Sequence, residues 1–97
     1  MATKAVEING CVYEYVKEIP SDTRVKGWLV KVDGVHYAVL CAPIPRLYDE
    51  ISAYTSNRTG RPDNLSAPLF KYRGTDLQKG VDSLLELLGN NKKALAE

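Results

Sequence analysis

The feature that most constrains this chain is a pair of two-residue turns, each flanked by runs that alternate between apolar and polar residues. Asn9-Gly10 and Asp33-Gly34 both consist of residues that accept positive φ, which a type I′ turn between antiparallel strands requires. A proline and polar residues around position 20 separate the two patterns. We therefore expect two β-hairpins over residues 4–42.

The alternation of side chains along the hairpins sets their expected register. Pairing Ile8 with Cys11 and Val32 with Val35 gives each hairpin an apolar face. Near the centre of the second hairpin both faces are apolar, which is typical of the central strands of a covered sheet. We expect a four-stranded antiparallel sheet with helices on one face. The further pairs expected are Val6 with Tyr13, Val30 with Tyr37 and Trp28 with Val39.

A short helix is expected directly after the hairpins. A proline suits the first turn of a helix, where its missing N–H costs nothing. Leu47, Ile51 and Tyr54 then recur at helical spacing. These residues predict a helix over residues 45–55.

The C-terminal helix is predicted from a capping pattern and an apolar face. Thr75 is followed three residues later by Gln78, as in a capping box. Leucines and a valine then recur on one side of the helix, and Gly89 is placed as the residue that stops it. The helix is expected over residues 75–89, and residues 90–97 are expected to be a polar tail.

The expected fold class is α+β: an antiparallel sheet of two β-hairpins, packed with a short helix and a C-terminal helix, with a long basic loop between the helices. The 97 residues leave room for one core, so residues 1–97 are expected to form a single domain. A formal net charge of +1 gives no whole-protein field that would favour nucleic acid or a membrane. No apolar run approaches the length of a membrane span.

The residues that most often perform chemistry are sparse. His36 is the only histidine, and a lone histidine is poor grounds for a general base or a metal ligand. Cys11 and Cys41 could form a disulfide only if their strands were neighbours. Because the N-terminus has no apolar run of signal-peptide length, we expect two reduced thiols in a cytoplasmic protein. We expect no catalytic residue, metal or cofactor; the alternative is a small enzyme centred on His36 or Cys41.

Residues 56–74 form the most unusual segment, because they are rich in turn and breaker residues over a length that is uncommon for a loop inside a compact domain. Loops of this length are usually functional or disordered. Basic residues outnumber acidic ones between positions 57 and 79, and three aromatic residues accompany them. The basic residues are Arg58, Arg61, Lys71, Arg73 and Lys79, the acidic ones Asp63 and Asp76, and the aromatic ones Tyr54, Phe70 and Tyr72.

Three interpretations of this loop stay open on the residues alone. Arginine and aromatic residues together are typical of protein interfaces. Basic residues with aromatics can also hold single-stranded nucleic acid through phosphate contacts and base stacking. The third interpretation is a solvated loop whose aromatics fold back onto the core. The candidate partner-binding residues are Arg58, Arg61, Ala67, Pro68, Leu69, Phe70, Lys71, Tyr72 and Arg73.

The length of 97 residues, the two hairpin turns and the loop from Arg58 to Arg73 with Ala67-Pro68 resemble the small anti-RecBCD proteins of lambdoid enterobacterial phages. The resemblance extends over the whole chain and rests on no diagnostic motif. It implies a phage protein that acts in the host cytoplasm by binding the RecBCD helicase–nuclease, on its RecC subunit. Such binding alters RecBCD action at DNA ends and favours phage recombination. The resemblance also implies that residues 66–69 are an exposed recognition segment.

Pro68 has two interpretations of its own. An exposed X-Pro bond in a flexible loop exchanges between its isomers over tens of seconds and is accessible to prolyl isomerases. A host peptidyl-prolyl isomerase is therefore a second expected partner, at the Ala67-Pro68 bond. The alternative is an ordinary turn proline.

Overall fold

The computed structural model describes residues 5–19, 26–43 and 49–96, which form a curled six-stranded antiparallel sheet and one long helix. Each strand pairs with the strands that precede and follow it in the chain. The α+β class is therefore as expected, while the sheet is wider than the four strands predicted. The elements are β1 Val6–Ile8, β2 Cys11–Ile19, β3 Lys26–Val32, β4 Val35–Pro43, β5 Asp49–Thr55, β6 Phe70–Arg73 and α1 Leu77–Ala96.

Both two-residue turns join adjacent strands in the register that their residues predict. Ile8 pairs with Cys11 across the first turn, and Val32 pairs with Val35 across the second. The φ values are 54° at Asn9, 81° at Gly10, 51° at Asp33 and 83° at Gly34, as a type I′ turn requires. The more distant pairs are Val6 with Tyr13, Val30 with Tyr37 and Trp28 with Val39.

The helix predicted over residues 45–55 is wrong in its described part, because residues 49–55 form strand β5. Residues 44–48, where that helix was to begin, lie outside the described residues. Ile51 and Ala53 are buried on the helix side of the sheet, while Ser52 is buried on the other side. A strand covered on both faces loses the alternation of apolar and polar residues, so its pattern resembles that of a helix.

The C-terminal helix begins later and extends further than predicted. Asp76 caps its N-terminus, because its carboxylate accepts a hydrogen bond from the Gln78 N–H at 3.0 Å. The cap is thus Asp76 and not Thr75. The helix continues to Ala96, so that most of the polar tail predicted over residues 90–97 is helical, and Glu97 lies outside the described residues.

Gly89 is a point of close approach and not a helix stop. A Cβ at this position would lie 2.6 Å from the carbonyl oxygen of Asn9, in the first turn. The Asn9 side-chain amide also donates a hydrogen bond to the Leu85 carbonyl oxygen at 3.3 Å. The helix therefore needs a glycine where it crosses this turn, and it can continue beyond it.

The second half of the helix holds the two hairpin turns together. Lys92 Nζ donates to the Gly10 carbonyl oxygen at 2.7 Å and lies 3.4 Å from Asp33 Oδ2. The other carboxylate oxygen of Asp33 accepts from the Val12 N–H at 2.9 Å. We refer to Asn9-Gly10 and Asp33-Gly34, held in this way, as the clamped turns.

The core lies between the helix and one face of the sheet. It is built from apolar side chains of four strands, β2 to β5, that are in contact with one side of α1, and it includes both cysteines. No helix in the described part of the chain is long and apolar enough to cross a membrane. The buried members are Cys11, Val30, Val32, Tyr37, Val39, Cys41, Ile51, Ala53, Val81, Leu84 and Leu85.

Candidate interaction surface

The long segment between β5 and β6 first extends the pairing of β5 with β4, and the chain then turns away from β4. Ser56 donates its N–H to the His36 carbonyl oxygen at 3.1 Å, as the next residue of β5 would. Ser56 also forms an isolated bridge with Pro62, and Asp63 donates to the Thr55 carbonyl oxygen at 2.9 Å. The chain thus turns back along the edge of β5 from position 62 onward.

The turn at residues 57–61 is held by the side chain of Asn57. Its Oδ1 accepts hydrogen bonds from the Thr59 N–H at 2.9 Å, the Thr59 hydroxyl at 2.6 Å and the Arg61 N–H at 3.1 Å. Gly60 is buried and has a φ of 96°. A Cβ there would lie 3.1 Å from Ile19 Cγ1 and 3.8 Å from Leu29 Cβ.

This turn covers the sheet face that lies opposite the helix. Leu29 has no exposed surface even though it points away from the helix, and Gly60 lies against it. The half of the long loop that carries Arg58 and Arg61 is therefore packed and ordered, with both arginines exposed at its surface. Its turn residues cover part of the sheet, a structural role that the high content of turn and breaker residues in the sequence did not indicate.

Residues 64–69 project from the edge of the sheet, and we call them the projection. The Asp63 N–H donates to the Thr55 carbonyl oxygen, and the Leu69 N–H donates to the Ala53 carbonyl oxygen at 2.7 Å. Residues 64–68 therefore lie between two points at which the chain is attached to β5. Asn64 stabilises the excursion from within. Its Oδ1 accepts from the Ser66 N–H at 2.9 Å, and its carbonyl oxygen accepts from the Ala67 N–H at 3.1 Å.

The projection exposes apolar side chains. Leu65 is 68% exposed and Leu69 is 40% exposed, while Pro68 is half-buried. Leu65 was not among the candidate residues predicted from the sequence. A signal for it existed, because it is an apolar residue between two turn-forming residues, Asn64 and Ser66.

Strand β6 separates the aromatic residues of the predicted site from the basic ones. Phe70 and Tyr72 are half-buried and pack against the core on the helix side. Lys71 and Arg73 are exposed and alternate with them, so their side chains point to the other face. The structure thus brings Ala67, Leu69, Lys71 and Arg73 to the surface and leaves the two aromatic rings half-buried against the core.

The remaining candidates for chemistry do not form a site in the described residues. Burial raises the pKa of both cysteine thiols, which disfavours the thiolate that nucleophilic attack needs. Cys11 on β2 and Cys41 on β4 are separated by β3, and both are free. No group of three or more potential metal ligands occurs among residues 5–19, 26–43 and 49–96.

Comparison with known proteins gives no relative: no family model, no curated protein and no solved structure matches this chain. The fold and the exposed surface thus define a class of protein, a small α+β domain with an ordered apolar projection beside basic residues.

Proposed function

We propose that this protein is a non-enzymatic binding protein that docks onto a host protein through its projection and the basic residues beside it. The single observation that carries the proposal is the exposure of Leu65 on a loop whose own hydrogen bonds hold it in one shape. A loop whose backbone is already held by hydrogen bonds loses less conformational freedom when a partner buries its apolar side chain. Exposed arginines such as Arg58 and Arg61 are common beside such contacts.

The proposed partner is the host RecBCD helicase–nuclease, bound on its RecC subunit in the cytoplasm of the host cell. This part of the proposal rests on the resemblance to anti-RecBCD proteins of lambdoid phages. Binding would change how RecBCD acts at DNA ends and so favour phage recombination, without a reaction performed by this chain. A host peptidyl-prolyl isomerase acting at the Ala67-Pro68 bond is a second proposed partner, supported by the exposure of Ala67.

The test compares two exposed leucines in a binding measurement with purified RecBCD. Leu65→Ala is expected to weaken binding about tenfold, because truncating a buried contact residue often costs 1–2 kcal/mol. Leu95→Ala is the matched control, since Leu95 is 88% exposed but lies near the end of α1. Absence of a complex, or equal loss in both variants, would contradict the proposal.

Direct binding of nucleic acid is the second candidate function, and the exposed basic residues Arg58, Arg61 and Lys71 favour it. It predicts affinity for single-stranded DNA that falls steeply with salt. The partial burial of Phe70 and Tyr72 against the core favours protein binding instead, because stacking on bases needs exposed rings. Charge-removing variants at Arg58 and Arg61 separate the two candidates when both ligands are measured.

A further inference from the structure

Strand β6 is the last strand of the sheet formed by the described residues, and one side of it faces no other strand there. Its other side pairs with β5 in a regular antiparallel register, with Lys71 opposite Ser52 and Tyr72 opposite Ile51. We call the side that faces away from β5 the outer edge of β6. An exposed strand edge is a template on which another chain can add a strand.

The register shows which backbone groups point outward. Gly74 donates its N–H to the Asp49 carbonyl oxygen at 3.0 Å, which places this pair among those that exchange hydrogen bonds with β5. Such pairs alternate along an antiparallel ladder, so Tyr72 and Phe70 also direct their peptide groups to β5. Lys71, between them, directs its N–H and carbonyl oxygen to the outer edge.

The charge of the outer edge determines which kind of segment can bind there. The side chain of Lys71 is exposed and lies opposite the uncharged Ser52, whereas Arg73, the second basic residue of β6, lies opposite Glu50. Pairing of β6 with β6 of a second copy would place basic side chains opposite each other, which is destabilising. An extended segment that carries acidic side chains would instead place opposite charges across the new pair.

We propose that the outer edge of β6 accepts an extended, acidic segment of the partner as a seventh strand, directly beside the projection. The inference rests on the proposed function and specifies how the partner is held. Backbone hydrogen bonds at Lys71 give the segment its direction, while the attraction between its carboxylates and the lysine selects for acidic sequence. Leu69, at the start of the edge, is 40% exposed and gives the added strand an apolar contact.

Amide hydrogen exchange of the unaltered protein, alone and bound to purified RecBCD, tests this inference. In the free protein the Lys71 amide is expected to exchange faster than the amides of Phe70 and Tyr72, because theirs are bonded to β5. In the complex, exchange at Lys71 is expected to slow at least tenfold. A complex that leaves the Lys71 amide unprotected would overturn the inference and leave the proposed function standing, whereas failure to form a complex would refute the function.

Two variants at one position separate the backbone contribution from the charge. Lys71→Pro removes the outward N–H and the charge, and proline is tolerated on an edge strand where its nitrogen faces outward. Lys71→Ala removes the charged side chain and keeps the outward N–H. We expect about a tenfold loss of affinity for RecBCD in Lys71→Pro and about threefold in Lys71→Ala, with the binding of Lys71→Ala less sensitive to salt. Equal affinities in the two variants would count against strand addition.

Discussion

The clamped turns and the projection are built from the same kinds of residue and have opposite relations to the rest of the molecule. Both use an asparagine or aspartate that bonds to nearby backbone groups. The clamped turns lie under α1, where Lys92 and Gly89 bring the helix against them. The projection is attached to β5 at both ends and has exposed side chains between. Hydrogen bonds from turn residues thus order the backbone in both regions. The difference is that α1 packs over the clamped turns, whereas the side chains of the projection stay exposed and available to a partner.

The largest expected effect comes from breaking the contact between the helix and the clamped turns. Gly89→Val should lower the free energy of unfolding by about 3 kcal/mol, because the new side chain would overlap the Asn9 backbone. Asn90→Val on the exposed side of the same helix is the control for helix propensity, and it should cost less than about 1 kcal/mol. Urea unfolding measures both, and equal losses would show that Gly89 is not a contact position.

A smaller effect is expected where the long loop covers the sheet. Asn57→Ala removes the acceptor of three hydrogen bonds and loosens the turn that places Gly60 over Leu29, so we expect a loss of about 1–2 kcal/mol. The matched change in the projection, Asn64→Ala, removes one side-chain acceptor and should cost about 0.5–1 kcal/mol. The order of the two urea midpoints is the result to check. If Asn64→Ala were the more destabilising, the projection would be the structural half of the loop.

How much of this difference the sequence could predict depends on the range of the interactions. The hairpin turns were predictable because Asn-Gly and Asp-Gly act locally and set the register by themselves. Strand β5 was mistaken for a helix, because Ile51 and Ala53 are buried on the side of α1 and Ser52 is buried on the other side, which removes the alternation typical of a strand. Gly89 was mistaken for a helix stop, because its reason is a contact with Asn9, eighty positions away.

The distinction between local and long-range interactions also applies to the candidate site. The basic residues of the loop were identified from composition, and Arg58, Arg61 and Lys71 are exposed as an interface requires. The sequence could not predict which aromatic side chains would be exposed. The alternation along β6 assigns each side chain to a face of the sheet, but the sequence does not show which face lies under α1. Leu65 was missed because an exposed leucine is common and its ordered setting arises from hydrogen bonds of Asn64.

Acid should weaken the clamped turns at Asp33. The projection, residues 64–69, contains no acidic residue and should not respond in this way. The Val12 N–H, and after it Lys92, lower the pKa of Asp33 below its ordinary value of about 3.8. Because the folded pKa is depressed, this carboxylate stabilises the fold above pH 3.8, and the contribution is lost as the pH falls through the folded pKa.

Asp33→Asn keeps a residue that tolerates positive φ and removes the titration. The wild-type protein should have the higher urea midpoint at neutral pH, and the difference should close as the pH falls below about 3.8. A difference that is constant over the whole pH range would mean that the charge of Asp33 contributes nothing to the clamp.

The smallest expected effect on stability is in the projection itself. Pro68→Ala should change the free energy of unfolding by less than about 0.5 kcal/mol, because Pro68 is half-buried on a loop that Asn64 and Leu69 attach independently. If a host prolyl isomerase acts at the Ala67-Pro68 bond, the variant should nonetheless lose the proposed effect on RecBCD in cells. Ser66→Ala in the same loop is the control, since its hydrogen bond to Asn64 uses the backbone N–H and survives the change. A large loss of stability in Pro68→Ala would instead make the proline a structural part of the loop, and the contrast with the clamped turns would then be confined to Leu65 and its neighbours.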